Sequence, residues 1–423
     1  MNPGDLISIC VLSVLYLWIL YHVPVIVAGV RNLPSKSQKR ERDEKSRLSE
    51  EELPTVSIII PVKNEEKVVG RLLDALLNSD YPPQKREIII VNDSSRDKTV
   101  EICNRYVRQH PRSIRLLQKP TSNGKPSALN YALKWTKGEI IGVFDADNVP
   151  EPDALLKAAR SFQDPSIAAV QGKICSINAD QNMLTKIVSF EEVVLYEFYP
   201  QGKNALGLSN HLAGTCNFIR RELVKKIGGW DENSCTEDME ISARLLETNQ
   251  NIKYDPDVRS WQETPASLTE FIKQRTRWYR GSMEVVLKHG NLLRKMNKKI
   301  VDAEISFAGP YMWNLCLMGY LMYIYTLVTP FPHNIISTIM AQIVSLLTVA
   351  GLFISGITLA YVTKPRKIRN LLWIPLVYVY WGSHMFAALY ALIQMMLRRP
   401  KKWHRTKKTG MVTADIQICP CAD

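Results

Sequence analysis

The chain has no CxxC pair. Its eight cysteines, Cys10, Cys103, Cys175, Cys216, Cys235, Cys316, Cys419 and Cys421, are scattered, which argues against a zinc site built on paired thiolates and fits free thiols in a reducing cytosol. The final Cys-Pro-Cys reads as a loose tail. None of the seven histidines forms an HExxH pair, so no zinc-hydrolase chemistry competes. A Gly-x4-Gly-Lys phosphate loop is missing as well. No nucleic-acid motif accompanies the net charge of +13. Met1 to Val30 and Ile305 to Leu397 are almost free of charge, while the middle of the chain is an ordinary charged globular sequence.

The excess of positive charge lies beside those apolar segments, in Arg31 to Arg40 and in Arg398 to Lys408. That placement favours anionic lipid headgroups over nucleic acid as the partner. Leu6 to Val30 is apolar for about 25 residues, enough to span a bilayer. No Lys or Arg precedes it and no small-residue cleavage site closes it, so it reads as an anchor and not a signal peptide. The basic cluster after it places residues 31–54 in the cytosol as a solvated linker. Near the other end, Gly281 to Lys299 mixes Val285, Val286, Leu287, Leu292 and Leu293 with lysines and arginine, the pattern of an amphipathic helix in the interface (281–300). A membrane region (301–397) follows, with apolar stretches Ile305 to Thr329, Ile335 to Val362 and Leu371 to Leu397. The uncharged link Pro330 to Asn334 is expected outside, and the basic link Thr363 to Arg369 inside. The tail (398–423) opens with seven Lys or Arg residues up to Lys408 and is expected in the cytosol. Three full crossings contradict that; either the last stretch is re-entrant or interfacial, or the charge rule fails here.

Residues 55–280 alternate short apolar strands with amphipathic helices. Val56 to Pro61, Glu87 to Asp93, Glu139 to Asp145 and Ile167 to Gln171 read as buried strands. Glu66 to Leu77 and Asp97 to Gln109 read as helices, the first with Val69, Leu72, Leu73, Leu76 and Leu77 on one face. Continuous apolar strands separated by helices predict a Rossmann-like α/β fold, a mostly parallel sheet with helices on both faces. Such sheets bind ligands beyond the carboxyl ends of their strands, where Asp93 and Asp145 sit.

Asp145-Ala146-Asp147 offers hard oxygens suited to Mg²⁺ or Mn²⁺, which usually takes one or two carboxylates and substrate phosphates. If the strand continued, the two acids would face opposite ways; a turn at Asn148-Val-Pro brings them to one ligand. Asp93 is either a site residue or an N-cap, with Ser94, Ser95 and Asp97 competing for the capping role. Gly124-Lys125 enters a helix and suits a phosphate. Thr236-Glu237-Asp238 starts another helix, either as acids favoured by the dipole or as a general base. Gln274-Arg-Thr-Arg277-Trp278 offers a cation for a diphosphate and a platform for a sugar, or the ordinary residues of a membrane-surface helix.

Taken singly these motifs are weak; in this order they are specific. Pro61-Val-Lys-Asn64-Glu65, Asp93, Gly124-Lys125, Asp145-x-Asp147, Ala213 to Arg221, Thr236-Glu-Asp238 and Gln274-x-x-Arg277-Trp278 resemble the family 2 glycosyltransferases, the group of cellulose, chitin and hyaluronan synthases. The resemblance runs from about Val56 to Gly281, and flanking membrane helices fit it too. It implies a GT-A fold and an inverting, metal-dependent transfer from a nucleotide-diphosphate sugar, expected to be a UDP-sugar. Pro61, Glu65 and Asp93 would hold the base and ribose, Lys125 the diphosphate, and Asp145 the nucleotide. Asp147, with Asp145, would ligate the metal, and Asp238 would be the base. Arg277 would hold the pyrophosphate, while Gly214, Thr215, Glu237, Gln274 and Trp278 would face the acceptor.

The expected product is a growing β-linked polysaccharide, possible export included, made by a multi-pass membrane protein with its catalytic domain in the cytosol. A single sugar added to diacylglycerol or polyprenyl phosphate is the alternative, and a non-catalytic scaffold is a third reading that the full set of acids disfavours. Nothing in the sequence sets an oligomeric state.

Overall fold

The computed structural model describes residues 3–32, 49–290, 297–328, 368–401 and 406–414, with isolated positions between 335 and 350. The expected stretch Ile335 to Val362, the link Pro330 to Asn334, most of the links 31–54 and 363–369, part of the basic tail and the terminal Cys-Pro-Cys lie outside the described residues.

After the N-terminal helix α1 (Pro3–Arg31), strand β1 (Val56–Val62) opens the sheet. Its Ile58, Ile59 and Ile60 are all fully buried, because side chains of a strand alternate between two faces and both are covered here. Val56, Ile58, Ile60 and Val62 pack with Val69, Leu72, Leu73 and Leu76 of α2 (Val69–Leu77) and Cys103 of α3 (Thr99–Gln109). Ile59 faces the other way and joins Ile89 and Val91 of β2 (Arg86–Asn92) against Ala128, Leu129 and Ala132 of α4 (Lys125–Leu133). Each such aliphatic side chain contributes about 1.5–3 kcal/mol by leaving water.

The remaining elements are β3 (Ile114–Gln118), β4 (Ile140–Val143), β5 (Val149–Pro150), α5 (Ala154–Ser161), β6 (Ile167–Ser176), α6 (Met183–Val193), α7 (Tyr199–Ala205), β7 (Asn217–Arg220), α8 (Arg221–Lys226), α9 (Glu237–Glu247) and β8 (Asn251–Gln262). Sheet order is β3-β2-β1-β4-β7-β6-β8-β5. The β3-β2-β1-β4 half is parallel throughout, as is the β6-β8 pair, while β7 and β5 run against their neighbours. This mostly parallel, two-faced sheet is the fold the alternating pattern predicts. Register aligns Val62 with Asn92, and Ile59 with Val143, so Asp93 and Asp145 leave the sheet on one edge.

Beyond β8, helix α10 (Leu268–His289) runs unbroken through Gly281, and a separate helix α11 (Lys298–Phe307) follows. The single amphipathic helix expected over 281–300 is therefore corrected. Its first half completes α10, where Ser282, Met283 and Val285 are buried in the protein while Leu287 is exposed; Leu292 and Leu293 lie outside the described residues. Helix α12 (Gly309–Val328) then packs against α1 and α10, and α13 (Ile374–Met396) against α10 and α12. Among the described residues one helix is both long and apolar enough to cross a bilayer, Leu6–Arg31. Its Leu6, Leu17, Val23 and Val30 are exposed while Val11, Leu15 and Val25 are buried.

Helix α1 is fastened to the α/β domain by close backbone approach and by charge. A Cβ on Gly202 of α7 would lie 1.9 Å from the Val25 carbonyl oxygen, and one on Gly29 would lie 2.1 Å from that of Phe198. Nearby, Lys203 and Asp302 form an ion pair at 3.1 Å with both side chains almost fully buried, and Tyr21 of α1 donates to the same Asp302 at 2.5 Å. Gly202→Ala is expected to push α1 off this seat, since the clash is with backbone and not with a movable side chain. A loss of about 1–3 kcal/mol, read as a lower unfolding temperature and faster proteolysis after Arg31, is the expected outcome.

Candidate active site

The acids of the motifs are held by supports that lie elsewhere in the chain. Asp93 follows β2 and does not cap α3; Asp97 accepts the Thr99 amide at 3.0 Å instead. Freed from capping, Asp93 accepts from Ser122 Oγ at 2.8 Å and from the Gly124 amide at 3.3 Å, beside Lys119 at 3.3 Å and Lys63 at 3.8 Å. Strand β4 stops at Val143, and the Asn148 amide donates to the Asp145 carbonyl at 3.0 Å, closing the turn expected there. Asn148 Oδ1 accepts from Thr215 and Ser260 at 2.8 and 3.0 Å, locking the turn from two sides. Asp145 and Asp147 consequently line one cavity.

Gly124 has φ 88°, which a residue with a Cβ adopts only with strain. It turns the chain so that Lys125 enters α4 with its ammonium pointing inward. Lys125 Nζ meets Asp145 Oδ1 at 2.7 Å, the Gly214 carbonyl at 2.8 Å and Glu237 Oε1 at 3.1 Å. Burial alone would lower the lysine; Asp145, Glu237 and Asp238 outweigh it and hold the ammonium above its ordinary value. Gly214 also has a positive φ of 76°, and a Cβ there would lie 3.2 Å from Asp238 Oδ2. Only glycine lets this loop pass so close to the acid.

Asp238 sits in the first turn of α9. Burial first, and then the neighbouring Glu237 carboxylate, push its carboxyl up to about 7, against the pull of Lys125 and Arg277. A carboxylate poised near neutral pH suits a general base. Thr236 just before it is packed on Gly281 of α10, where a Cβ would lie 2.4 Å from the Thr236 side chain. On the same helix, Arg277 Nη1 donates to the Cys235 carbonyl at 2.9 Å, and the Arg275 guanidinium lies 4.5 Å from the Trp278 ring centroid. Helix α10 thus ties the turn that carries Asp238 to Trp278.

One cavity of about 500 Å³ is lined by Pro61, Glu65, Asp93, Lys125, Asp145, Asp147, Gly214, Thr215, Asp238, Gln274, Arg277 and Trp278. Glu237 is the predicted site residue that does not reach its wall; it stands behind Lys125. Thr215, expected towards the acceptor, accepts the Asp145 amide at 2.9 Å and braces Asn148. The same cavity is also lined by Trp18, Tyr196, Tyr199, Phe307, Trp313 and His384.

Several residues of the site escape the motifs. Gln171 accepts the Ala213 amide at 2.7 Å and donates to the Thr215 carbonyl at 3.1 Å, fixing the 213–216 loop. Glu263, buried after β8, pairs with Arg71 at 3.0 Å and donates its amide to Asp147 Oδ2 at 3.0 Å. Lys408 reaches the same oxygen at 2.6 Å. Burial opposes ionisation of Asp147, but Lys408, Arg71 and the Glu263 amide hold its carboxyl below the ordinary range.

Among the described residues no group of three or more His, Cys, Asp or Glu could hold a metal ion by itself. Asp147 and Asp145 nonetheless suit Mg²⁺ or Mn²⁺: the oxygens are hard, an ammonium already rests on Asp147, and phosphate oxygens of a bound donor would supply further ligands.

Glu237→Gln is expected to lower the Asp238 carboxyl, because it removes the adjacent negative charge and leaves Lys125 to act on fewer acids. The acidic limb of a kcat/KM profile should move down by roughly one pH unit; an upward move contradicts the arrangement.

An α/β sheet that collects acids, a buried lysine and an Arg-Trp helix around one cavity defines a GT-A-like glycosyltransferase. The model of the family described as glycosyltransferase like family 2 matches residues 54–281. The chain belongs to this family. The probable glycosyltransferase YdaM of Bacillus subtilis (strain 168) is 32% identical over 72% of this chain and 72% of its own. A β-monoglucosyldiacylglycerol synthase of Nostoc is 34% identical over 57% of this chain and 52% of its own, so the chain matches about half of that relative's length. A poly-β-1,6-N-acetyl-D-glucosamine synthase of Staphylococcus epidermidis is 30% identical over 55% of this chain and 56% of its own. In fold the chain is similar to a mannosyltransferase of Pyrobaculum calidifontis in complex with GDP-mannose and Mn²⁺, with TM-score 0.63 and 19% identity over 94% of this chain and 99% of that one.

Proposed function

We propose that the protein transfers a sugar, with inversion, from a UDP-sugar to a growing β-linked polysaccharide on the cytosolic face of a membrane that its apolar helices cross. The observation that supports this most is that Asp238, its carboxyl pushed up to about 7, lines one cavity together with Asp93, Lys125, Asp145 and Asp147 and with the aromatic side chains of Trp278, Tyr196, Tyr199 and Trp313.

In this reading Asp93, with Pro61 and Glu65, holds the nucleoside. Lys125 and Arg277 hold the diphosphate and stabilise the charge that grows on it as the bond to the sugar breaks. When bound by Asp147 and Asp145, Mg²⁺ or Mn²⁺ adds positive charge to the same leaving group. Asp238 takes the proton of the acceptor hydroxyl as that oxygen attacks the anomeric carbon from the face opposite the diphosphate. An α-linked donor then gives a β-linked product. Gln274 and Trp278 orient the acceptor, and the aromatic walls beyond offer stacking surfaces to further sugar rings.

A second reading, a single sugar added to a membrane lipid, is favoured by the apolar part of the same wall, Trp18, Leu195, Phe307 and Pro310, and by the activity for which the Nostoc relative is named. Purified protein given a panel of labelled nucleotide sugars with Mg²⁺ or Mn²⁺ separates the two. A ladder of long products supports the polymer, a single-sugar lipid supports the second reading, and no transfer from any donor overturns both.

A further inference from the structure

The tail segment 406–414 lies across the donor side of the cavity, where it was expected only as a basic cytosolic end. Glu263 is its dock. With one face of Glu263 held by Arg71, its carboxylate accepts the Thr409 amide at 2.8 Å, the Gly410 amide at 2.9 Å and the Thr409 hydroxyl at 3.2 Å. Farther on, the Thr413 and Ala414 amides both donate to the Ile177 carbonyl, at 2.9 and 3.0 Å. Gly410 has φ 82°, so the strap turns where only glycine turns without strain. These anchors deliver Lys408: its ammonium lies 2.6 Å from Asp147 Oδ2 and 3.2 Å from the Glu263 carbonyl, with the Lys408 and Asp147 side chains 14% and 5% exposed.

A divalent cation on Asp147 would sit about 2.0–2.6 Å from a carboxylate oxygen. The Lys408 ammonium already occupies the approach to Oδ2, and the Glu263 amide takes its remaining side. Two cations cannot share that oxygen at such distances without strong repulsion. We propose that Lys408 is a built-in competitor for the cation position on Asp147, and that the 406–414 strap is released when a divalent cation and the donor diphosphate bind. This rests on the reading of Asp147 as a cation ligand. Because binding linkage is reciprocal, whatever the cation does to the strap, the strap does to cation affinity.

Mn²⁺ binding to the full chain in detergent, followed by electron paramagnetic resonance, tests the competition directly. Asp147→Asn should abolish specific Mn²⁺ binding, and Lys408→Met should tighten it about tenfold or more. Unchanged or weaker binding in Lys408→Met, with binding lost in Asp147→Asn, overturns the competition and leaves the Asp147 reading standing. Undiminished Mn²⁺ binding in Asp147→Asn overturns both. The wild-type chain gives an independent measurement: adding Mn²⁺ with UDP should speed tryptic cleavage after Lys407 and Lys408 severalfold. Unchanged or slower cleavage overturns the proposal even if Lys408→Met does not fold.

Discussion

Asp238→Asn should lower sugar transfer by roughly 10²–10⁴-fold, the usual worth of a positioned general base, while UDP binding stays near wild type. The amide keeps the shape of the acid but cannot take the acceptor's proton. In the proposed function the donor is held by other residues, so KM for the donor should move little. The same substitution should stabilise the fold at neutral pH. An aspartate ordinarily ionises near 3.8 and this one near 7 in the folded chain. Its folded value is raised, so the unfolded chain releases the proton first, and stability falls as pH rises between those values. The asparagine removes that loss. Its unfolding temperature should exceed wild type by a few degrees above pH 7 and converge with it near pH 4. Transfer at the wild-type rate would remove Asp238 from the base's role. A lower unfolding temperature at pH 8 would show that its charge is compensated.

How much of this was readable in advance depended on where each signal lay. Strands β1, β2 and β4 are buried on both faces, so they read as unbroken apolar runs, and their terminal acids could be placed at one edge of the sheet. Strand β8 could not: Asn251–Gln262 carries Pro256 and four charged residues, and its pairing with β6 shifts register between Gly172 and Lys173. Inward residues before and after that shift, Ile252 and Tyr254 and then Val258 and Ser260, are separated by Asp255, Pro256 and Asp257, which breaks the alternation a pattern search needs. Glu263, directly after β8, was lost with it. The motif acids were legible because their chemistry is local. Their supports were not, because Gln171, Asn148 and Lys408 act through partners 42 to 261 residues away. Amphipathicity also fell short at Gly281 to Lys299: mixed apolar and basic residues have the same spacing whether an apolar position meets lipid or, as Val285 of α10 does, the protein core.

Lys125→Met should be as damaging as loss of the base, for a reason that runs through it. The lysine is in direct contact with both Asp145 and Glu237, and it also draws Asp238 towards ionisation. Methionine fills similar volume but leaves the buried Glu237 carboxylate uncompensated, which is costly in an interior of low dielectric. Transfer should fall by roughly 10²–10³-fold, the scale of losing one electrostatic contact to a developing charge. Asp238 should then ionise at a higher pH than in wild type, so the acidic limb of the kcat/KM profile moves up, opposite in sign to the shift expected of Glu237→Gln. Acids with raised values lose stability as pH rises, so the deficit in unfolding temperature should be larger at pH 8 than at pH 6. Arginine is not expected to rescue. Three oxygens meet Nζ at 2.7, 2.8 and 3.1 Å, a shell shaped for a compact ammonium and too small for a planar guanidinium. Wild-type kcat in Lys125→Arg, or an acidic limb that stays in place in Lys125→Met, would separate Lys125 from the base and make it a diphosphate ligand alone.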